Sequence, residues 1–167
     1  MTIDAAKIDA LVESELQRIK DARIVAHVRL LRVEPKPVLR NWDYGEPGTR
    51  YPCWSILAHQ ASNSGIAYCQ SGFGPNYPWG LVALDEDGTI GMDSAWFASL
   101  IDAFLESFAS TDLPIWRVLR TDPSGTRTAI TPEDDWDSTL ERIYAMRENE
   151  PHMRFDCHHE ITLLKPQ

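Results

Sequence analysis

Four consecutive residues near the end of the chain carry side chains that zinc accepts as ligands. They are Cys157, His158, His159 and Glu160, and His152 lies five residues before the cysteine. Thiolate, imidazole and carboxylate groups all bind zinc. On a strand, however, successive side chains point to opposite faces. Cys157 and His159 would therefore share one face, and His158 and Glu160 would share the other. At most two ligands then face the same way, and we predict no metal and no cofactor.

A thiol is the second group in this chain that could do chemistry. Cys69 and His59 fall on neighbouring predicted strands, where a thiolate–imidazolium pair could form. Asp43 or Asp93 would then orient the imidazole. Nothing in the spacing singles these residues out, and a small cysteine in a core strand is the commoner outcome. We therefore predict no catalytic residue, and a thiol-dependent enzyme is the alternative.

The glycine-rich segment around Gly72 and Gly74 invites comparison with a phosphate-binding loop. Such a loop works because successive backbone amides point at the anion. Pro75 and Pro78 lack amides, and neither the lysine nor the following helix of that motif is present. We expect a rigid loop whose aromatic side chains either pack over the sheet edge or contact a partner. A small-molecule pocket under residues 72–80 is the alternative.

The elements that position these residues form a mixed pattern. Apolar residues spaced by three and four predict three helices, over about 4–20, 95–109 and 131–147, with Asp4, Ser94 and Thr131 at their starts. Alternation bounded by turn residues predicts short strands over about 22–33, 53–59, 66–69, 79–84, 89–92, 115–120, 126–130 and 154–164. Residues 38–52 are expected to be irregular, and residues 85–88 to form a hairpin turn.

This order of elements has no regular alternation of strand and helix. We therefore predict an α+β fold, an antiparallel sheet of about seven strands partly covered by three helices. The length of 167 residues fits a single domain over residues 1–167. The N-terminus has no basic stretch followed by an apolar run, and no segment has about 18 consecutive apolar residues. We therefore expect a cytoplasmic protein that does not enter a membrane.

The charges are unevenly distributed along the chain. The formal net charge is −9, yet no lysine or arginine lies between Arg50 and Arg117. The carboxylates of that stretch are Asp85, Glu86, Asp87, Asp93, Asp102, Glu106 and Asp112. Nucleic-acid binding needs several cations along one face, so we do not expect it. A cationic protein, by contrast, would be steered towards such a surface.

Cysteine usage fits the same compartment. The chain has three cysteines, Cys53, Cys69 and Cys157. A small and odd number of cysteines does not suggest a disulfide framework. Cys53 and Cys69 could approach each other if their strands pair. We expect free, partly buried thiols.

Parts of the chain resemble known sequences. The likeness to uncharacterised bacterial proteins is carried by Tyr51-Pro52-Cys53-Trp54, Gly65-Ile66-Ala67-Tyr68-Cys69, Gly72-Phe73-Gly74-Pro75 and Pro78-Trp79-Gly80-Leu81-Val82. In size, acidity and aromatic content the chain is similar to immunity proteins of bacterial toxin systems. Neither resemblance implies an activity or a functional residue.

These observations favour a non-enzymatic cytoplasmic protein-binding domain, such as an immunity-type inhibitor of a basic toxin. Acidic side chains would steer the encounter and aromatic side chains would supply apolar contact. A small-molecule-binding protein and a homodimer built through the same aromatics are the alternatives. The residues predicted to bind the partner are Trp42, Tyr44, Tyr77, Trp79, Asp85, Glu86 and Asp87.

Overall fold

The structure is a computed structural model that describes residues 3–85, 88–130 and 136–159. These residues belong to two compact units, Met1–Ala109 and Ser110–Gln167. The α+β class with antiparallel pairing is confirmed, because the described residues form four α-helices and eight strands whose ladders are all antiparallel. The strands fall into two sheets. The single domain stays a prediction.

None of the helices in the described ranges combines the length and apolar composition that crossing a membrane requires.

The first unit contains three helices and a five-stranded sheet. Its helices are α1 (Ala5–Arg18), α2 (Ala22–Leu31) and α3 (Leu100–Leu105). Its strands, paired in chain order, are β1 (Pro37–Asn41), β2 (Arg50–His59), β3 (Ser64–Tyr68), β4 (Trp79–Ala83) and β5 (Trp96–Phe97). Helix α1 confirms the sequence pattern. The Asp4 carboxylate accepts a hydrogen bond from the Lys7 amide at 2.9 Å, and the apolar stripe of the helix is buried at Ile8, Val12 and Leu16.

The strand predicted over residues 22–33 is wrong, because that segment is helix α2. Asp21 caps the helix, and its carboxylate accepts a hydrogen bond from the Arg23 amide at 2.9 Å. Ile24 and Val28, four residues apart, are fully buried, whereas Leu30 is 76% exposed. Strand alternation would place Leu30 on the same buried face as Ile24 and Val28. The helical period therefore accounts for the burial pattern, and the alternating period does not.

Residues 38–52 are more regular than the sequence indicates. Strand β1 pairs with β2 from Pro37↔Trp54 to Asn41↔Arg50. Pro37 is the first residue of an edge strand, a position where the missing amide is tolerated. The expected irregular segment is therefore confined to residues 42–49.

The return strand predicted over residues 89–92 is also wrong. Thr89 forms a single parallel bridge with Asn41, and does not pair with β4. Gly91, at φ 78°, adopts the left-handed conformation, which glycine takes without strain. The middle of the predicted turn, Glu86 and Asp87, lies outside the described residues.

The helix predicted over 95–109 is shorter and begins later. Trp96 and Phe97 form β5, in which Phe97 pairs with Trp79. Ser99, not Ser94, is the cap, and its hydroxyl accepts a hydrogen bond from the Asp102 amide at 3.2 Å. The helix ends at Leu105, so Phe108 lies beyond it and is 63% exposed.

The second unit packs one helix against a three-stranded sheet. Its elements are β6 (Trp116–Thr121), β7 (Arg127–Ala129), α4 (Trp136–Asn149) and β8 (Arg154–His159), with sheet order β7-β6-β8. Ile143 of α4 joins Val118 and Phe155 in the core. These strands and the helix confirm the predictions, except that the proposed helix start at residues 131–135 and the strand end beyond His159 lie outside the described residues.

Candidate functional site

Aromatic rings from two loops gather at one end of the five-stranded sheet. Trp42 follows the last pair of the β1–β2 ladder and makes edge-on contacts with three rings. The ring centroids lie 6.2 Å from Tyr44, 5.9 Å from Tyr51 and 5.5 Å from Phe73. Edge-to-face geometry at these distances is favourable for aromatic pairs. Trp42, half-buried, therefore joins the 42–49 loop to the 70–78 loop.

The four aromatic residues predicted to bind a partner divide into two groups. Tyr44 is 77% exposed and Tyr77 is 53% exposed, so both rings are accessible. Trp79 is 3% exposed, and its ring packs against Tyr68 at 5.0 Å. The expectation that Trp79 is exposed is wrong, because strand β4 begins at this residue and places it in the core. Trp42 is half-buried, and its ring contacts the Tyr44 ring edge-on.

The loop that presents Tyr77 is held by its own backbone. The Tyr77 amide donates to the Phe73 carbonyl oxygen at 3.3 Å, and the Gly74 amide donates to that of Ser71 at 3.1 Å. Gly72 has φ 67°, a left-handed conformation that glycine adopts without strain. The loop exposes Tyr77, whereas Phe73 packs against Trp42.

Asp85, the one predicted acidic partner residue that the structure describes, lies apart from these tyrosines. Asp43 and Glu46 are exposed in the same loop as Tyr44, although Arg50 is exposed at the end of that loop. Asp85 is exposed, but it follows the far end of β4, about 13 Å of strand away from the Tyr77 loop. Glu86 and Asp87 lie outside the described residues.

The other carboxylates of the cation-free stretch have separate positions. The Asp102 carboxylate accepts a hydrogen bond from the Ser99 hydroxyl at 2.6 Å in the cap of α3, and Asp112 belongs to the second unit. The Asp102 carboxylate is therefore occupied in capping α3.

Arg40 is a buried cation that the sequence analysis did not single out. It is 3% exposed, and its Nη2 donates to the Ala83 carbonyl oxygen at 2.7 Å. Its Nε and Nη1 have no hydrogen-bond partner among the described residues. A Cβ atom added at Gly88 would collide with Nη1. Arg40 is therefore bonded to the end of β4 and lies close to Gly88.

The thiol–imidazole pair considered from the sequence does not form. Cys69 lies beside Cys53, and both cysteines are fully buried and free. The hydrogen bond to Cys69, together with burial, raises the pKa of Cys53 well above its ordinary range. His59 ends β2 six residues beyond Cys53, about 20 Å along the strand, and its Nδ1 lies 2.7 Å from the Ser62 hydroxyl. His59 therefore cannot activate Cys69.

A small apolar cavity lies between helix α1 and the end of β3. It has a volume of about 400 Å³ and is lined by Ile3, Lys7, Ala10, Leu11, Tyr68 and Gln70. That volume is within the range of small-molecule pockets. None of these lining residues comes from the 72–80 loop, so this cavity is not the pocket expected beneath that loop.

The residues considered for metal binding lie on β8 as alternation predicts. Cys157 pairs with Val118, whereas His158 pairs with Arg117, so they face opposite sides of the sheet. The His159 ring lies 3.8 Å from the Trp116 ring. Among the residues that the structure describes, no three ligating side chains are close enough to share a metal ion. Glu160 lies outside the described residues.

A basic cavity in the second unit was missed by the sequence analysis. It has a volume of about 500 Å³, and three of its lining residues are Arg127, Arg147 and Arg154. These arginines are far apart in sequence and come from three different elements. The one sequence signal for this cavity was the alternation on β8, which puts the side chains of Arg154 and His158 on the same face of the strand.

No protein-family model, curated protein or solved structure matches this chain. The resemblances to uncharacterised bacterial proteins and to immunity proteins therefore stay expectations drawn from the sequence.

Proposed function

We propose that this chain is a non-enzymatic cytoplasmic protein-binding domain that contacts a basic protein partner through Tyr44 and Tyr77, in the manner of an immunity-type inhibitor of a basic toxin. One observation carries the proposal. Two exposed tyrosines project from adjoining loops, which the Trp42–Phe73 contact joins.

The tyrosines are suited to this role because neighbouring residues hold both of them in place. A tyrosine offers a large apolar ring and a polar hydroxyl, and ordering its two side-chain torsions costs little entropy. Trp42 contacts the Tyr44 ring, and the Tyr77 backbone amide donates a hydrogen bond to the Phe73 carbonyl oxygen. Aromatic residues held in this way are typical of the energetic centre of an interface.

The nearby charges would favour a basic partner. Asp43 and Glu46 are exposed beside Tyr44, and the stretch from residue 51 to residue 116 contributes no lysine or arginine. Exposed acids at the rim of an interface raise the rate of encounter with a cation more than they raise affinity. Asp85 would contribute at longer range, together with its sequence neighbours Glu86 and Asp87.

The thiols support the choice of binding over catalysis. A nucleophilic cysteine needs a lowered pKa and an accessible sulfur. Cys53 and Cys69 are fully buried, and the hydrogen bond between them raises the pKa of Cys53 and lowers that of Cys69. Burial raises the pKa of Cys157 to about 11. None of the three thiols therefore combines a lowered pKa with an accessible sulfur.

The test is recovery of a partner from cells of the native host with a tagged chain. We expect wild type and Tyr144→Ser to recover the same basic protein, and Tyr44→Ser/Tyr77→Ser to lose it. Tyr144 is the matched control because it is 59% exposed on α4, in the second unit. Recovery should also fall in about 0.5 M salt, where screening is strong. Recovery that the double substitution leaves unchanged would refute the proposal.

A further inference from the structure

Most of the residues that line the basic cavity lie on the face of the three-stranded sheet opposite α4, whereas Cys157 and Arg147 come from the α4 side. Arg127 and Arg154 are both register partners of Thr121, one on each side of β6, so they share a face. Alternation along β8 puts Asp156 and His158 on that same face. Helix α4 packs on the other face, against Val118 and Phe155. The lining is therefore assembled from both edge strands.

Arg147 completes the cationic lining from the last turn of α4. One of its terminal nitrogens donates to the Phe155 carbonyl oxygen at 2.9 Å. This bond brings the guanidinium to the edge of β8, and it uses only one of the five N–H donors that an arginine carries. With respect to the residues that the structure describes, the remaining donors are available to a bound group.

The charges in the cavity do not cancel. Three guanidinium groups face a single carboxylate, Asp156, whose Oδ2 accepts from the Arg154 Nε at 2.9 Å. Arg127 makes no hydrogen bond or ion pair with any residue that the structure describes. With His158 neutral, the lining has a net charge of +2, in a chain whose net charge is −9. Such a concentration of positive charge favours a bound anion.

We propose that this cavity binds the phosphate group of a small phosphomonoester. A phosphomonoester carries a charge near −2 at neutral pH and presents three acceptor oxygens, which suits three arginines that approach from different elements. The volume of about 500 Å³ is in the range of small-molecule pockets and leaves room for an organic group beside the phosphate.

The site is built for binding and not for transfer of the phosphoryl group. Cys157 is the only thiol in the lining, and burial raises its pKa to about 11. Its sulfur therefore stays protonated at neutral pH and contributes only to the lining of the cavity.

The experiment is calorimetric titration of the whole chain with glycerol 3-phosphate, inorganic phosphate and malonate. We expect saturable binding of both phosphate compounds and much weaker binding of the dicarboxylate. Arg127→Gln and Arg154→Gln should each weaken binding about tenfold, the usual effect of removing a charge-assisted hydrogen bond. Arg18→Gln is the matched control, because Arg18 has the same charge and a 76% exposed side chain in the first unit.

A fourth variant separates a specific effect from misfolding. Asp156→Asn removes the one carboxylate that competes for Arg154, so it should bind phosphate more tightly than wild type. Circular dichroism of each variant checks its fold. The proposal is overturned by equal binding in the Arg127, Arg154 and Arg18 variants, by malonate binding as tightly as phosphate, or by no saturable phosphate binding.

Discussion

At the scale of single residues, the least predictable feature is which aromatic side chains are exposed. Tyr77 and Trp79 are two residues apart in one proline-rich loop, yet the first is 53% exposed and the second 3% exposed. Composition cannot separate them. The difference arises because β4 begins at Trp79 and pairs it with Tyr68, a contact that depends on residues distant in sequence. The sequence could predict an aromatic loop, but not its accessible ring.

Substitutions at these two positions should differ sharply in stability. We expect Trp79→Ala to lower the free energy of unfolding by about 3–5 kcal/mol, because it removes a buried ring and leaves a cavity. Tyr77→Ala should change that free energy by about 0.5 kcal/mol or less, as is usual for an exposed site. Urea unfolding measures both. A loss at Tyr77 as large as that at Trp79 would mean that the loop is packed and not presented.

The thiols should react slowly in the folded chain at neutral pH. Cys53 and Cys69 are fully buried, so reagents cannot reach Cys69 even though its hydrogen bond with Cys53 lowers its pKa. The pKa of Cys157 is raised to about 11, so accessible thiolate is scarce. Labelling with iodoacetamide at pH 7 should be slow, should accelerate at Cys157 as pH rises towards that pKa, and should become fast at all three sites in denaturant. A Cys157→Ser variant identifies the pH-dependent step. One thiol that labels rapidly below pH 7 would restore the enzyme alternative.

At the scale of elements, segments were predicted well where the apolar residues follow only the helical or only the strand period. They were predicted poorly where the same residues fit both periods. Ile24 and Val28 fit both the alternation of a strand and the spacing of a helix. The residue that distinguishes the two, Leu30, is apolar but exposed, so the pattern favoured the wrong period. The cap at Asp21 was the missed signal. On β6 to β8 no such conflict arises, and the strand predictions are confirmed.

The start of α3 offers a direct test of the corrected boundaries. The Ser99 hydroxyl accepts from the Asp102 amide, whereas Ser94 is exposed and lies five residues before the cap. Ser99→Ala should therefore lower the free energy of unfolding by about 1 kcal/mol, and Ser94→Ala should have little effect. Thermal or urea unfolding of the two variants decides between them. The opposite ranking would support the longer helix beginning at residue 95.

At the scale of the whole molecule, charge is segregated in a way that composition only partly indicates. The absence of lysine and arginine from residues 51–116 was visible in the sequence. The positions of the acids were not, because Asp85 and Asp102 are placed by strand pairing and by a helix cap. The basic cavity was equally hidden, since its arginines are brought together only by the sheet of the second unit. A basic cavity therefore occurs in a chain whose formal net charge is −9.

The central claim, that Tyr44 and Tyr77 together contact a basic protein, can be tested by site-specific photo-crosslinking in the native host. A benzophenone amino acid would replace Tyr44, Tyr77 or Tyr144, one at a time, in the full chain. We predict that positions 44 and 77 form an adduct with the same basic protein, that about 0.5 M salt weakens both adducts, and that position 144 forms none. Adducts at position 144 alone, equal adducts at all three positions, or no adduct at 44 and 77 would contradict the claim.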